Sequence, residues 1–392
     1  MIGFNPVKYR KDFKVLGKYT YLDSSCVSLK PKQVLEAMNS YYEEYSACGG
    51  RSSHALGRKV TAKIEEARKT ISKHFNAKTE EIIFTRNTTE GINLVAKSFP
   101  FKEGDRILLS DKEHNSNLVP WQVLEKKKKI KLEFYEHGNI EDFKRKVKGT
   151  TLVATNHTSN LDGTTQDVKE MARIAREEGA KILVDGAQSA SHKEINLKNL
   201  GVDFYTASGH KMLGPSGTGF LYGKKEELEK LDLFITGGET VKDTTYEGHE
   251  VEELPHRYEA GLQDYAGIIG FSEAVKYLQR IGMKNIEKHE LKLNKKITEA
   301  IKDIPGLTIL GGKPEERSGI ISFTVEGMDP HDIALQLDNH NVLVRSGYHC
   351  CHSWFNSKKI NGSVRASLYL YNDEEDADKF IESLKKAMEL LR

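Results

Sequence analysis

Two periodicities alternate along the chain. Short apolar runs recur at Ile82-Ile83-Phe84, Arg106-Ile107-Leu108-Leu109, Leu152-Val153-Ala154, Ile182-Leu183-Val184 and Phe204-Tyr205-Thr206. Segments with helically spaced apolar positions separate them. The pattern predicts an α/β architecture, a mostly parallel sheet covered by helices. Each run is followed at once by polar residues, and ligands of such sheets sit beyond the carboxyl ends of the strands. Further on, a charged helical stretch from Gly270 to about Ile304 predicts a link to a second unit. Beyond it, Ser318 to Val325 and Val342 to Val344 read as strands, and Asn372 to Arg392 as a closing amphipathic helix. The C-terminal part is therefore expected to be a smaller α+β domain. No internal repeat or low-complexity segment interrupts the pattern.

Composition narrows the field. A chain of 392 residues is too long for one simple core and suits a large domain with a smaller companion. Hydrophobic residues make up 38% and charged residues 30%, which places it with globular chains and not disordered ones. The net charge of +2 gives no electrostatic case for nucleic acid as a partner. The one basic block, Lys126-Lys127-Lys128-Lys129, reads as a solvated helix end or loop. The start, Met1-Ile2-Gly3-Phe4-Asn5-Pro6, has no signal-peptide apolar segment, and no run reaches membrane-spanning length. No membrane association and a cytoplasmic location are expected. Four cysteines, Cys26, Cys48, Cys350 and Cys351, do not make a disulfide framework, and without a CxxC pair no metal site is expected.

Candidate chemistry lies after the strands. Asp185 ends one apolar run, with Gly186-Ala187-Gln188 behind it, and Ser208-Gly209-His210-Lys211 follows another. A carboxylate for a pyridinium nitrogen and an amine for an aldehyde, both at strand ends, are what pyridoxal 5'-phosphate requires. Thr88-Thr89-Glu90-Gly91-Ile92-Asn93 opens a helical pattern. Its free N–H groups suit an N-cap and an anion alike. His114 and Asn160 sit in loops after strands, where a histidine can stack on a ring and an asparagine can hydrogen-bond a cofactor. Arg365 offers a planar fork for a substrate carboxylate. Cys350 and Cys351 lie among Arg345, His349 and His352, in a stretch that reads as too polar for core, and the positive charge there favours a thiolate. A metal role for Cys-Cys-His lacks the spacing of a zinc site.

Together these motifs resemble the cysteine desulfurases of the SufS type, within the class V aminotransferases of fold-type I. The resemblance runs from Tyr21-Leu22-Asp23 through Val184-Asp185-Gly186-Ala187-Gln188, Ser208-Gly209-His210-Lys211, Glu259-Ala260-Gly261 and Arg345-Ser346-Gly347-Tyr348-His349-Cys350 to Arg365-Ala366-Ser367-Leu368. It implies a large cofactor-binding domain over 17–276, and a small domain of 1–16 and 277–392 that carries the catalytic cysteine. It implies pyridoxal 5'-phosphate bonded to Lys211, with Asp185 on the ring nitrogen, Gln188 on the ring hydroxyl, His114 stacked on the ring and Asn160 beside it. Thr88, Thr89, Ser208 and His210 match phosphate contacts, Arg365 the substrate-carboxylate arginine, and Cys350 the sulfur-accepting nucleophile. Conversion of L-cysteine to L-alanine, a homodimer, and delivery of sulfur to an acceptor or iron–sulfur scaffold protein follow from the same resemblance. A selenocysteine lyase, or another class V lyase or aminotransferase, is the alternative within it. The sequence departs from the family pattern at Ser24-Ser25-Cys26-Val27, at Gly50-Arg51-Ser52-Ser53-His54 and at Leu262, where a threonine is expected. Cys351 is a further addition, with sulfur relay as one reading and an inert small hydrophobe as the favoured one.

Overall fold

The computed structural model describes residues 5–391. Met1 to Phe4 of the leading segment and Arg392 of the closing helix lie outside the described residues. The five predicted strands join two that the sequence reading did not name, Lys131–Tyr135 and Gly219–Gly223, in one seven-stranded sheet: β1 (Ile82–Thr85), β2 (Arg106–Ser110), β3 (Lys131–Tyr135), β4 (Leu152–Asn156), β5 (Lys181–Asp185), β6 (Phe204–Ser208) and β7 (Gly219–Gly223). Their spatial order is β1-β7-β6-β5-β4-β2-β3. The pairs from β6 through β5, β4 and β2 to β3 are parallel, while β7 runs antiparallel to both β6 and β1. The α/β expectation with a mostly parallel sheet holds.

Both faces of this sheet are buried, as parallel sheets require. Alternate residues serve opposite cores. Leu108, Val153, Ile182, Val184 and Tyr205 join one cluster, together with the helices Lys32–Glu44, Ala55–His74 and Tyr265–Ile281. Ile107, Leu109, Ala154, Leu183 and Phe204 join the other, with Trp121 and Ile92. The period of two along each strand thus sorts side chains between layers.

A second, antiparallel sheet has the order β8 (Leu307–Leu310), β9 (Ile320–Val325), β11 (Ser363–Ser367), β10 (Arg345–Gly347). The helices Met283–Ile301 and Glu374–Leu391 pack on it through Leu293, Ile297, Phe380 and Leu384.

Four details differ from the sequence reading. The stretch from Gly270 to Ile304 is two helices, Tyr265–Ile281 and Met283–Ile301, because Gly282 adopts φ 88°, outside the helical region. The run at Val342 to Val344 is a two-residue strand paired in parallel with Thr20–Tyr21 and not with the second sheet. The strand predicted from Ser318 begins at Ile320, and the helix predicted from Asn372 begins at Glu374. The basic block Lys126 to Lys129 does end a helix, with Lys129 left-handed just beyond it.

A buried ion pair ties the first layer to the sheet edge. Arg68 donates both Nη atoms to the Glu259 carboxylate at 2.8 Å, while Phe84 N donates to Glu259 Oε1 at 2.7 Å. Both side chains are buried. Removing one member strands the other charge, at a cost of about 3–5 kcal/mol. Arg68→Met is therefore expected to lower the denaturant midpoint strongly, and Arg68→Met combined with Glu259→Gln to lower it less. Equal losses in the two proteins, measured by urea unfolding, would show that charge burial is not the cause.

Candidate active site

The carboxyl ends of the parallel strands, the start of the helix Thr88–Ser98 and the loop before Cys351 converge on one cavity of about 240 Å³. Thr88, Thr89, His114, Asn160, Asp185, Gln188, Ser208, His210, Lys211, Cys350 and Arg365 all line it. Every site residue expected from the sequence is thus brought to a single place. Ser25, Cys26, Asn87, Ser116, Asn156, Thr158, Ala187, Arg345 and His349 complete the wall.

Lys211 stands in the short turn Gly209–Lys211 that follows β6. Its amine has no hydrogen-bond or ion-pair partner among the described residues. Burial lowers its pKa from the ordinary 10.5, the Asp185 carboxylate opposes that shift, and the Arg365 charge adds to it. The turn fits because Gly209 has no side chain, since a Cβ there would lie 2.3 Å from Thr218 Oγ1.

Asp185 ends β5, the strand next to β6. Its side chain accepts from Ala187 N at 2.9 Å and has no ion pair among the described residues. Burial raises its pKa. A buried carboxylate so poorly matched is a site for a cationic partner. Gln188 donates Nε2 to Ser25 O at 2.9 Å, and its Oε1, buried, has no partner. His114 accepts from Ser116 N through Nδ1 at 3.0 Å, which fixes its ring, and burial followed by the Lys211 charge depresses its pKa to about 3. The imidazole is neutral at ordinary pH.

At the other end of the cavity lie hydroxyls and a helix start. Thr88 N donates to Ser208 Oγ, which in turn donates to Thr88 Oγ1, each at 2.9 Å. Thr89 Oγ1 donates to Ser116 Oγ at 2.7 Å. The N-cap is Asn87, one residue before the threonines, and its Oδ1 accepts from Glu90 N. The helix comes this near β6 because Gly91 lacks a Cβ, which would sit 2.3 Å from Thr206 Oγ1. Hydroxyls, the helix dipole and His210, held near pKa 4 chiefly by burial, form a neutral-to-positive cradle for an anion.

Arg365, on β11, is buried, donates to Asn160 O at 2.8 Å and lies 3.4 Å from Asp23 Oδ1. Its Nε has no partner. Asn160 also donates to His349 O at 2.7 Å, so one loop holds both the arginine and the cysteine segment. Asn115 N donates to Cys350 O at 2.7 Å. His349 and Cys350 both have left-handed backbones, φ 48° and 59°, a sparsely populated conformation for such residues that is maintained only by surrounding contacts.

Two expectations about the cysteines change. Cys351 is fully buried among Leu161, Leu310 and Phe355, so this stretch does carry core. Its thiol donates to Asn160 Oδ1 and burial pushes its pKa up, consistent with an inert role. The positive charge expected around Cys350 is also arranged differently. His349 is held near pKa 2 by burial and then by the Arg365 charge, while Arg345 donates to Cys26 Sγ. Cys26, which lines the cavity, and Asp23, which contacts Arg365, were not placed here by sequence reasoning. Glu113 was missed as well: Asn117 Nδ2, Asn156 N and the Ser110 hydroxyl all donate to its buried carboxylate. Only their closeness to recognised motifs signalled them, because the contacts span more than a hundred residues for Cys26 and Asp23.

The fold and cavity together define a binder of an aromatic, phosphorylated, aldehyde-bearing cofactor, with a cysteine and an arginine in its wall. The chain belongs to the aminotransferase class-V family, whose model matches residues 20–380. A probable cysteine desulfurase of Pyrococcus abyssi is 41% identical, over 99% of this chain and 98% of that one. A probable cysteine desulfurase of Staphylococcus aureus is 42% identical, over 96% and 94%. The apo structure of a cysteine desulfurase from Thermococcus onnurineus NA1 superposes with a TM-score of 0.95 at 40% identity, covering 98% of each chain. The Escherichia coli cysteine desulfurase CsdA, solved in an S-sulfonic acid form, gives 0.93 at 30% identity, over 99% of this chain and 100% of that one.

Proposed function

We propose that this protein is a pyridoxal-phosphate-dependent cysteine desulfurase that converts L-cysteine to L-alanine and receives the sulfur on Cys350 as a persulfide. The observation that carries the reading is the cavity itself, which Lys211, Asp185, His114, Arg365 and Cys350 line together. The residues fit the cofactor. Asp185 lacks a cationic partner, Gln188 Oε1 and Arg365 Nε are unpaired, and the hydroxyl cradle of Thr88, Thr89 and Ser208 suits a phosphate.

When bound, pyridoxal phosphate withdraws electron density from the substrate Cα. Asp185 would hold the ring nitrogen protonated, His114 would lie against the ring as a neutral plane, and Gln188 would meet the ring oxygen. Arg365 grips the substrate carboxylate and so orients the Cα–H bond toward Lys211 Nζ, which accepts that proton. Cys350, as thiolate, attacks the substrate sulfur. The substrate C–S bond breaks and a bond between the two sulfurs forms, and alanine leaves after protonation at its Cβ. Asn160 couples the two halves of this arrangement through Arg365 and His349.

Residues 17–276 form the cofactor-binding domain in this proposal, and 1–16 with 277–392 the small domain that brings Cys350. The enzyme works in the cytoplasm as a homodimer, and among the described residues no helix is long and apolar enough to cross a membrane. Exposed Ile235 and Leu262 on the face around the Glu259 turn favour a second copy there. The sulfur goes on to an acceptor or iron–sulfur scaffold protein. The test is to supply L-cysteine with a reductant and quantify alanine and sulfide in parallel with L-selenocysteine. Stoichiometric alanine and sulfide are expected from cysteine. Turnover of selenocysteine with no turnover of cysteine would replace this reading by that of a selenocysteine lyase.

A further inference from the structure

Two cysteines line the active-site cavity, Cys26 as well as Cys350. Cys26 follows the short strand Thr20–Tyr21, and its turn is pinned from two sides. Ser367 Oγ accepts from Ser25 N at 3.0 Å, and Ser25 O accepts from Gln188 Nε2 at 2.9 Å. Arg345 Nη1 donates to Cys26 Sγ, so the sulfur is oriented by a guanidinium that also faces Asp23. The two sulfurs act on one amine: Cys26 and Cys350 each raise the pKa of Lys211, against the larger lowering by burial. Both cysteines therefore border the cavity that also holds Lys211. The cavity between them is built for a polar ligand, since Gln188 Oε1, His349 Nδ1 and Arg365 Nε are buried there without partners.

Cys351, although adjacent to Cys350 in sequence, is sealed in the apolar cluster with Phe355, and burial holds it as a thiol. The sulfur that shares the reaction space with Cys350 belongs to Cys26.

We propose that Cys26 is a second sulfur carrier in this site, taking the terminal sulfur from the Cys350 persulfide. The Cys26 thiolate attacks the outer sulfur of Cys350–S–SH. The S–S bond at Cys350 breaks, a new S–S bond forms at Cys26, and the proton lost by Cys26 passes to the Cys350 thiolate. Sulfane sulfur is conserved, so no oxidant or reductant enters. Cys350 is returned to the thiol state and accepts sulfur from a second cysteine while the first sulfur waits on Cys26. The inference rests on the desulfurase reading above.

The experiment incubates cofactor-loaded protein with excess L-cysteine, without acceptor or reductant, and quenches it with an alkylating agent. Mass spectrometry of the peptides locates sulfane sulfur, and alanine is measured in the same samples. Wild type should carry about two sulfur equivalents, one on each cysteine, and Cys26→Ser about one, on Cys350. Cys350→Ser should carry none on Cys26. Serine retains an acceptor for Arg345, and the cofactor absorbance band reports that the site is intact. Wild-type sulfur confined to Cys350 overturns the proposal, as does sulfur reaching Cys26 in Cys350→Ser, which would mean direct attack in place of transfer. A wild type that makes no alanine refutes the desulfurase reading instead.

Discussion

Cys350→Ala should lose alanine formation from L-cysteine by at least about a thousandfold while keeping its bound cofactor. The magnitude follows from what the cavity does to the thiol. Asn115 N and Asn160 Nδ2 hold the backbone of residues 349 and 350 in left-handed conformations, and this aims Cys350 into a cavity that it shares with Lys211. A reactant fixed in this way reaches effective molarities of about 10⁵ M or more. A millimolar thiol in solution replaces it poorly, so added thiol should restore only a small part of the rate. The cofactor band should be unchanged, because the hydrogen bonds of the Asp185, Gln188 and Ser208 side chains among the described residues go to Ala187, Ser25 and Thr88 and not to Cys350. Cys351→Ala is the contrast. It removes a buried thiol packed on Phe355, and should cost stability at roughly the level of a small core truncation, about 1 kcal/mol, with the chemistry retained. If Cys350→Ala makes alanine at the wild-type rate, no thiol attack occurs and a lyase mechanism takes its place.

The site residues were legible in the sequence where chemistry sits directly after a strand. Asp185 ends a strand that is buried beyond its first residue and Lys211 follows a fully buried one, and topology alone then places them side by side at the end of adjacent parallel strands. What the sequence conceals is contact at long range. Asp23 lies beside Arg365, and Cys26 beside Arg345, across more than three hundred residues. No periodicity encodes such a meeting. The sign of the local field was concealed for the same reason. A run of Arg, His and Cys reads as a positive surround for Cys350. Burial instead neutralises His349, and geometry directs Arg345 to a different sulfur. The break at Gly282 shows the smaller limit: the apolar period continues through it, and only the backbone angle stops the helix.

Replacement of Lys211 by alanine should abolish turnover and leave a protein that loses pyridoxal phosphate on gel filtration. Lys211 Nζ is the amine in the cavity that faces both Asp185 and the cysteines, and it has no competing partner to satisfy. Two functions go at once, covalent retention and transfer of the Cα proton, and the second alone is worth about 10²–10⁴-fold in rate. The pH dependence has a fixed sign. The amine bonds an aldehyde only when unprotonated, and burial lowers its pKa below 10.5, with Asp185 opposing that shift. Reloading of cofactor-free wild type should therefore slow as pH falls, with a midpoint below that of an ordinary lysine. Removing the opposing carboxylate charge with Asp185→Asn should move this midpoint lower still. Absorbance-monitored reconstitution across pH decides it. A midpoint at or above 10.5 would mean that the amine is not desolvated as the cavity requires, and an Asp185→Asn midpoint that rises would mean that the carboxylate does not act on Lys211.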